Sequence, residues 1–181
     1  MAASEKVQKL RLVLGGLAEP QAREVLQAPD LPCGIPRGIL VELLGTSRVE
    51  WFLKFLKMNP ELKVFWCEQD QRVLPTAIHQ RGVGLDRITF GLLGEDMKKA
   101  LRQILQRQVH QIILAPNKFT EISTLKAFQL LTEKANATVF LLGDKKPSTA
   151  WPISMQLEIQ RAENNKDFDI EILRHKHGAF L

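Results

Sequence analysis

One short stretch of the chain restricts its fold more than any other feature of the sequence. Residues 34–38 form a turn rich in glycine and proline, and residues 39–44 form an apolar run that ends at Gly45. A single carboxylate, Glu42, interrupts that run. Apolar runs of this length between turn signals are typical of strands that are buried on both faces. The stretch therefore predicts a buried strand followed by a sharp glycine turn.

The residues after Gly45 decide what such a turn can bind. In a phosphate-binding loop the strand is followed by G-x-x-x-x-G-K-[ST], in which backbone N–H groups, the lysine and the hydroxyl hold phosphate and Mg²⁺. Counted from Gly45, the chain places Glu50 at the second glycine, Trp51 at the lysine and Phe52 at the hydroxyl. The strand and the turn are present, but the side chains that bind phosphate are missing.

Elsewhere the chain alternates between apolar runs and amphipathic segments. Further strands are predicted at residues 63–67, 87–90, 110–115 and 137–142. Helices are predicted at residues 47–58, 74–80, 95–107 and 120–135. Two segments of alternating polarity, residues 154–160 and 168–172, predict a β-hairpin with one solvated face. Together these patterns predict an α/β fold with a parallel central sheet, right-handed crossovers and a C-terminal antiparallel hairpin.

The predicted helices differ in what their apolar faces indicate. The aromatic face of the helix over residues 47–58 is interpreted as core rather than as the wall of a cofactor pocket. The helix over residues 120–135 is predicted to begin at a Thr120 cap. Its apolar stripe is predicted to consist of Ile122, Leu125, Phe128 and Leu131.

Composition excludes some classes of protein and leaves others open. With 45% apolar residues, 25% charged residues and 181 residues in all, the chain is predicted to form one globular unit. No apolar run approaches the roughly 20 residues of a membrane span, and the start lacks a signal-peptide core, so we expect a cytoplasmic protein without a membrane partner. Cys33 and Cys67 are the two cysteines, and both are predicted to be reduced thiols. The net charge of +5 favours polyanions or acidic partners, although proteins that bind no nucleic acid often carry such a charge.

Two segments resemble parts of the RecA-like recombinases. The turn at residues 34–38, followed by residues 41–45, resembles the segment that leads into the RecA nucleotide loop. Residues 65–68, followed by residues 74–77, resemble the next RecA strand and helix. The resemblance implies a RecA-like, P-loop NTPase-like α/β domain over residues 31–181, with Glu68 at the position of the water-activating glutamate. The vestigial nucleotide site that it implies consists of Gly45, Thr46, Ser47, Arg48 and Glu68.

Two independent parts of the nucleotide machinery are missing from this resemblance. The lysine and hydroxyl are absent after Gly45, and the strand over residues 110–115 ends without the aspartate that holds Mg²⁺ in RecA-like ATPases. We therefore expect no enzyme activity, no cofactor and no metal. This pattern resembles the non-catalytic branch of the family, which includes the ImuA-type accessory proteins of mutagenic repair and the SulA-type cell-division inhibitors.

Residues 1–30 are predicted to form an N-terminal helical arm, with one helix over residues 4–15 and a second short helix over residues 20–27. Recombinases use such an arm to reach a neighbouring subunit, so the resemblance implies self-association through the arm. A helix that folds back on its own domain is the alternative.

Basic side chains supply candidate contacts for nucleic acid or for an acidic partner. The recombinase DNA-binding loops are shortened here, the second to residues 144–151, so DNA binding is expected to be weak. The candidate contacts are Lys98, Lys99, Arg102, Lys145, Lys146 and Trp151.

The leading functional hypothesis is an adaptor in the bacterial DNA-damage (SOS) response that supports error-prone translesion synthesis through protein contacts. Its expected partners are an inactive polymerase of the Y-family type and an error-prone polymerase. The alternatives are a SulA-like inhibitor that binds the division tubulin, and a RecA paralogue with weak nucleotide or DNA binding.

Overall fold

The computed structural model describes residues 23–69, 73–143 and 146–176. Most of the predicted N-terminal arm, residues 1–22, lies outside these ranges. The described part of the second predicted helix, residues 23–27, is not helical. Instead, β1 (Val25–Leu26) pairs antiparallel with β2 (Ile35–Pro36). This pairing buries the side chains of Leu26 and Ile35, which accounts for the extended backbone.

Seven further strands form the central sheet, in the order β5-β4-β6-β7-β3-β8-β9. Neighbours from β5 to β8 run parallel, and β9 runs antiparallel to β8. The strands are β3 (Leu40–Leu44), β4 (Val64–Glu68), β5 (Ile88–Leu92), β6 (Ile112–Pro116), β7 (Thr138–Leu142), β8 (Met155–Arg161) and β9 (Phe168–His175). The predicted α/β class, mostly parallel sheet and C-terminal antiparallel pair are confirmed.

Four helices cover the two faces of this sheet, within the described part of the chain. They are α1 (Arg48–Met58), α2 (Pro75–Gln80), α3 (Met97–Arg107) and α4 (Ile122–Ala135), with a 3₁₀ turn at Gly94–Asp96 before α3. Side chains of α1 and α2 share one core with the sheet, and side chains of α3 and α4 share the other. Among the described residues, no helix is long and apolar enough to cross a membrane.

The core under α1 is aromatic, as predicted. Trp51, Phe52 and Phe55 are fully buried, and the rings of Phe52 and Phe55 lie 5.1 and 5.0 Å from the ring of Phe140 on β7. Because these rings pack against one another and against the sheet, they fill the space beneath α1. The interpretation of this face as core is confirmed.

The start of α4 differs from its prediction. Glu121, rather than Thr120, is the cap residue, and the Thr124 hydroxyl donates a hydrogen bond of 2.8 Å to the Glu121 carboxylate. Leu125 is buried as predicted, whereas Ile122 is 50% exposed. Ile122 is the first residue of the helix, and the apolar packing of α4 against the sheet begins one turn later.

The predicted hairpin exists, and its solvated face includes β9 and the C-terminal part of β8, where Gln160 is exposed. Asp169 and Glu171 on β9 are exposed, as expected for an edge strand. In contrast, β8 lies between β3 and β9, so Ser154 and Gln156 are only 1% and 2% exposed. The alternating polarity of this segment predicts a solvated face, and at these two positions the prediction is wrong.

The strand order places a topological switch point at the carboxyl end of β3. Numbered among themselves, the six parallel strands run 3-2-4-5-1-6, which differs from the 3-2-1-4-5-6 order of dinucleotide-binding domains. After β3 the chain continues into α1 on one face, whereas Ala150 and Ile153, after β7, pack into the core on the other. Open α/β sheets bind ligands at the carboxyl ends of two neighbouring strands whose connections leave toward opposite faces of the sheet. The predicted vestigial site therefore lies at the place where a ligand is expected.

Candidate functional site

The turn at the carboxyl end of β3 is short and tightly packed. Three residues, 45–47, connect β3 to α1. Gly45 has a φ of +87°, and a Cβ atom at this position would lie 2.1 Å from the backbone oxygen of Ile159 on β8. Glycine is therefore required both for its left-handed backbone and for the close approach of a neighbouring strand.

The N–H groups of Thr46 and Ser47 in this turn already have acceptors. Thr46 donates from its hydroxyl to the Gln160 side-chain oxygen at 2.7 Å, and its backbone N–H points to the same oxygen at 3.4 Å. The backbone N–H of Ser47 donates to the Ile159 oxygen at 3.3 Å. Free N–H groups at a helix N-terminus are what a phosphate uses. Here β8 supplies the acceptors from within the protein.

The charged side chains near the turn are also engaged. The guanidinium of Arg48 folds back and donates to the Gly45 oxygen at 2.6 Å, and its Nε is buried without a hydrogen-bond partner among the described residues. Glu50 lies in the first turn of α1 and forms an ion pair with Arg161 on β8. A carboxylate at this point complements the helix dipole in the way that a bound phosphate would. The Glu50 carboxylate therefore already supplies negative charge at the N-terminus of α1.

Glu68, the fifth residue of the predicted vestigial site, lies apart from the turn. It ends β4, three strand positions from β3, which corresponds to roughly 14 Å at the usual strand spacing. Its carboxylate accepts a hydrogen bond of 2.7 Å from the Trp66 indole. The structure thus groups residues 45–48 and places Glu68 elsewhere along the same edge of the sheet.

A buried polar cluster lies beneath this edge, on the face covered by α3 and α4. The side chain of Glu42 is 1% exposed. One of its carboxylate oxygens accepts hydrogen bonds from the Gln156 amide at 2.6 Å and the Ser148 backbone N–H at 2.9 Å. The other accepts a hydrogen bond from the Asn117 amide. We refer to these four residues as the Glu42 cluster.

Sequence reasoning did not predict the Glu42 cluster, although one signal was available. A carboxylate inside an otherwise apolar parallel strand needs buried donors, because an unpaired buried charge is costly. Asn117 follows β6, at the strand end where the resemblance places an aspartate that holds Mg²⁺. Its amide is instead bonded to Glu42. The cluster ties together β3, β8 and the connections after β6 and β7.

No protein-family model matches this sequence, and no curated protein does.

The structure divides the candidate basic contacts between two surfaces. Lys98, Lys99 and Arg102 lie on the exposed side of α3, where Lys98 pairs with Glu121 at 2.7 Å. Lys146 and Trp151 belong to the connection between β7 and β8, and Lys145 lies outside the described residues. These side chains therefore do not form the single basic surface that their residue types suggested.

Trp151 forms a small platform with two lysines that sequence reasoning did not connect with it. The indole is 48% exposed, and the amino groups of Lys126 and Lys176 lie 5.7 and 5.3 Å from its centroid. Burial, and then the nearby charge of Arg174, lower the pKa of Lys176. Because both cations already lie over the ring, a nucleic-acid base would have to displace one of them before stacking.

The described ranges show no metal site, and the Cys67 thiol is a poor nucleophile. They contain no group of three or more His, Cys, Asp or Glu side chains that could hold a metal ion. Burial, and then the charge of Glu68, raise the pKa of the Cys67 thiol, which makes it a poor nucleophile.

Proposed function

We propose that this chain is a RecA-like protein without nucleotide chemistry that acts as an adaptor in the bacterial DNA-damage response. In this role it supports error-prone translesion synthesis by binding an inactive polymerase of the Y-family type and an error-prone polymerase. In this role the protein would act as a scaffold rather than as a catalyst.

One observation carries the non-catalytic part of this proposal. The turn after β3 is closed by β8, because Gln160 and Ile159 accept hydrogen bonds from Thr46 and Ser47. A phosphate would have to break these bonds, separate Glu50 from Arg161 and approach the Glu50 carboxylate. Each of these steps opposes binding of a triphosphate. These contacts of the turn therefore support a RecA-like protein that does not bind nucleotide.

The short connections support a role in protein binding over strand exchange. Between β6 and α4 the chain has five residues, 117–121, where recombinases carry a long DNA-binding loop. Asn117 in this connection donates to the buried Glu42. A connection held in this way has little freedom to track a DNA strand.

Isothermal titration calorimetry with ATP and Mg²⁺ tests the loss of nucleotide binding. We expect no saturable heat at high protein concentration. Saturable heat that is abolished in Arg48→Ala or Glu68→Gln would overturn this part of the proposal, because it would assign the vestigial residues to a working site. Lys57→Glu, on the exposed side of α1, is the control for a change of surface charge.

Affinity purification from DNA-damaged bacterial cells, followed by mass spectrometry, tests the adaptor role. Recovery of polymerase-type proteins at moderate salt, reproduced with the purified partner, would support it. Recovery of the division tubulin would replace it with the inhibitor hypothesis. Recovery of neither class would reject both.

A further inference from the structure

A groove of about 800 Å³ runs between α3 and α4 on the surface of the protein. We call it the α3–α4 groove. Its lining combines apolar side chains from α4 with basic side chains from α3. These side chains include Lys98, Lys99, Arg102, Ala127, Leu130 and Leu131.

The α4 side of the groove is apolar and open to solvent. Leu130 is 58% exposed, and Ala127 and Leu131 beside it are half-buried. Leu125 and Phe128, on the inner side of the same helix, already fill the core. Leu130 is therefore not needed to fold α4, and together with Ala127 and Leu131 it offers an apolar strip that a partner can contact.

The α3 side of the groove supplies positive charge. Lys99 and Arg102 are exposed and form no ion pair with any residue that the structure describes. Lys98 already has Glu121 as its partner. Two cations therefore remain for a ligand, one helical turn apart on the same side of α3.

The two ends of the groove differ in charge. Glu95 and Asp96 line it at the N-terminal end of α3, ahead of the cations. A nucleic-acid strand carries a phosphate at every nucleotide, so it would meet these carboxylates as well as the lysines. A polypeptide can match both, by placing acidic side chains at Lys99 and Arg102 and none at Glu95 and Asp96.

We propose that the α3–α4 groove binds an acidic amphipathic helix of a partner protein. Leucine or methionine side chains of that helix contact Ala127, Leu130 and Leu131, and glutamate or aspartate side chains along its flank pair with Lys99 and Arg102. This inference rests on the proposed adaptor function and names the chemistry of the partner. Apolar anchors inside a charged border are the common arrangement when a helix binds in a groove.

Fluorescence anisotropy with synthetic peptides tests the groove directly. The probe is a labelled amphipathic peptide with leucines at helical spacing and glutamates on the adjoining side. Its twin carries glutamine in place of every glutamate, and a labelled oligothymidylate represents single-stranded nucleic acid. The protein is the full chain, either wild type or one of the variants Lys99→Glu, Arg102→Glu, Leu130→Ser and Lys57→Glu.

We expect saturable binding of the glutamate peptide and weaker binding of its twin. Lys99→Glu and Arg102→Glu should each weaken it about tenfold, since each replaces an attractive charge pair with a repulsive one. Leu130→Ser should weaken it about fivefold to tenfold by removing the apolar anchor. Lys57→Glu makes the same change of charge on the other face of the sheet and should stay within about twofold.

Three outcomes would overturn the proposal. The first is no saturable binding of the glutamate peptide, and the second is equal weakening by Lys57→Glu. The third is binding of oligothymidylate that the α3 variants abolish while peptide binding is unchanged, which would make the groove a nucleic-acid surface. If polymerase-type partners are recovered from cells and Lys99→Glu retains them, the groove proposal fails while the adaptor function stands.

Discussion

A single buried carboxylate, Glu42, connects elements that are far apart in the chain. Its hydrogen-bond partners come from the connection after β6, the connection after β7 and the interior strand β8. A carboxylate only accepts hydrogen bonds, and the three donors around Glu42 bond both of its oxygens. Each partner is a neutral amide or a backbone group, and hydrogen bonds to a charged acceptor are stronger than neutral ones.

Replacing Glu42 by glutamine should destabilise the protein by about 2–4 kcal/mol, because one amide group would face donors that can no longer be satisfied. Urea unfolding monitored by circular dichroism measures the change. Glu171→Gln on the exposed edge strand β9 is the matched control, with an expected effect within about 0.5 kcal/mol. Equal stability of Glu42→Gln and wild type would show that the cluster contributes no net stabilisation.

The thiol of Cys67 should be unreactive in the folded protein. It is 3% exposed, and its raised pKa means that little thiolate forms near neutral pH. With Ellman's reagent at pH 8, we expect the variant Cys33→Ser to react slowly when folded and rapidly in urea. A folded variant that reacts as fast as the unfolded chain would contradict the described burial.

A carboxylate within an apolar strand marks Glu42 as unusual, but the sequence does not identify its hydrogen-bond partners. Gln156 lies 114 positions away, and its polarity fitted an exposed strand equally well. Whether a polar residue on an alternating strand faces water depends on which strands lie beside it. That information belongs to the sheet order, which local patterns do not encode.

At the scale of elements, the turn after β3 and strand β8 form one structural unit. The Gly45 backbone is in the left-handed region and adjoins the Ile159 oxygen, so β8 can pair with β3 only if this position lacks a side chain. Another glycine with a positive φ, Gly94, has nothing within 4 Å of the position that a Cβ atom would take. Comparing substitutions at the two positions therefore distinguishes the cost of a left-handed backbone from the cost of steric overlap.

Gly94→Ala should cost about 1–2 kcal/mol, which is the price of a left-handed alanine. Gly45→Ala should cost more than about 4 kcal/mol or prevent folding, since its methyl group would overlap a backbone atom of β8. Thermal unfolding of the two variants, compared with wild type, measures the difference. Similar losses in both would mean that β8 yields easily at this point.

The sequence predicted the elements around this turn better than it predicted their contacts. The strand, the helix and the aromatic core under α1 follow from local patterns of polarity. The closure of the turn depends on Gln160, which is 114 positions from Thr46. Likewise, nothing local distinguished the lysines of α3 from those near Trp151, and only the tertiary fold separates them into two surfaces.

At the scale of the whole molecule, individual strands of the sheet contribute side chains to both cores. Trp66 and Cys67 are neighbours on β4, yet one packs under α1 and α2 and the other under α3 and α4. Loss of either helical layer would expose one buried face of this strand to water, and the strand supports both layers. The two layers should therefore unfold together.

Urea unfolding followed by two probes tests this cooperativity. In a Cys33→Ser, Trp151→Phe background, tryptophan fluorescence reports on Trp51 and Trp66, and pulsed thiol labelling reports on Cys67. We expect the two midpoints to coincide. Midpoints that differ beyond experimental error would show that one layer unfolds while the other persists.

The buried aromatics beside the turn also restrict how this chain could acquire a phosphate loop. Trp51 and Phe52 stand where such a loop has its lysine and hydroxyl, and both are fully buried. Introducing those side chains would remove two core aromatics at about 3–5 kcal/mol each, a loss comparable with the entire stability of about 5–15 kcal/mol of a typical domain. A nucleotide-binding version of this turn would therefore need compensating changes in the core beneath α1.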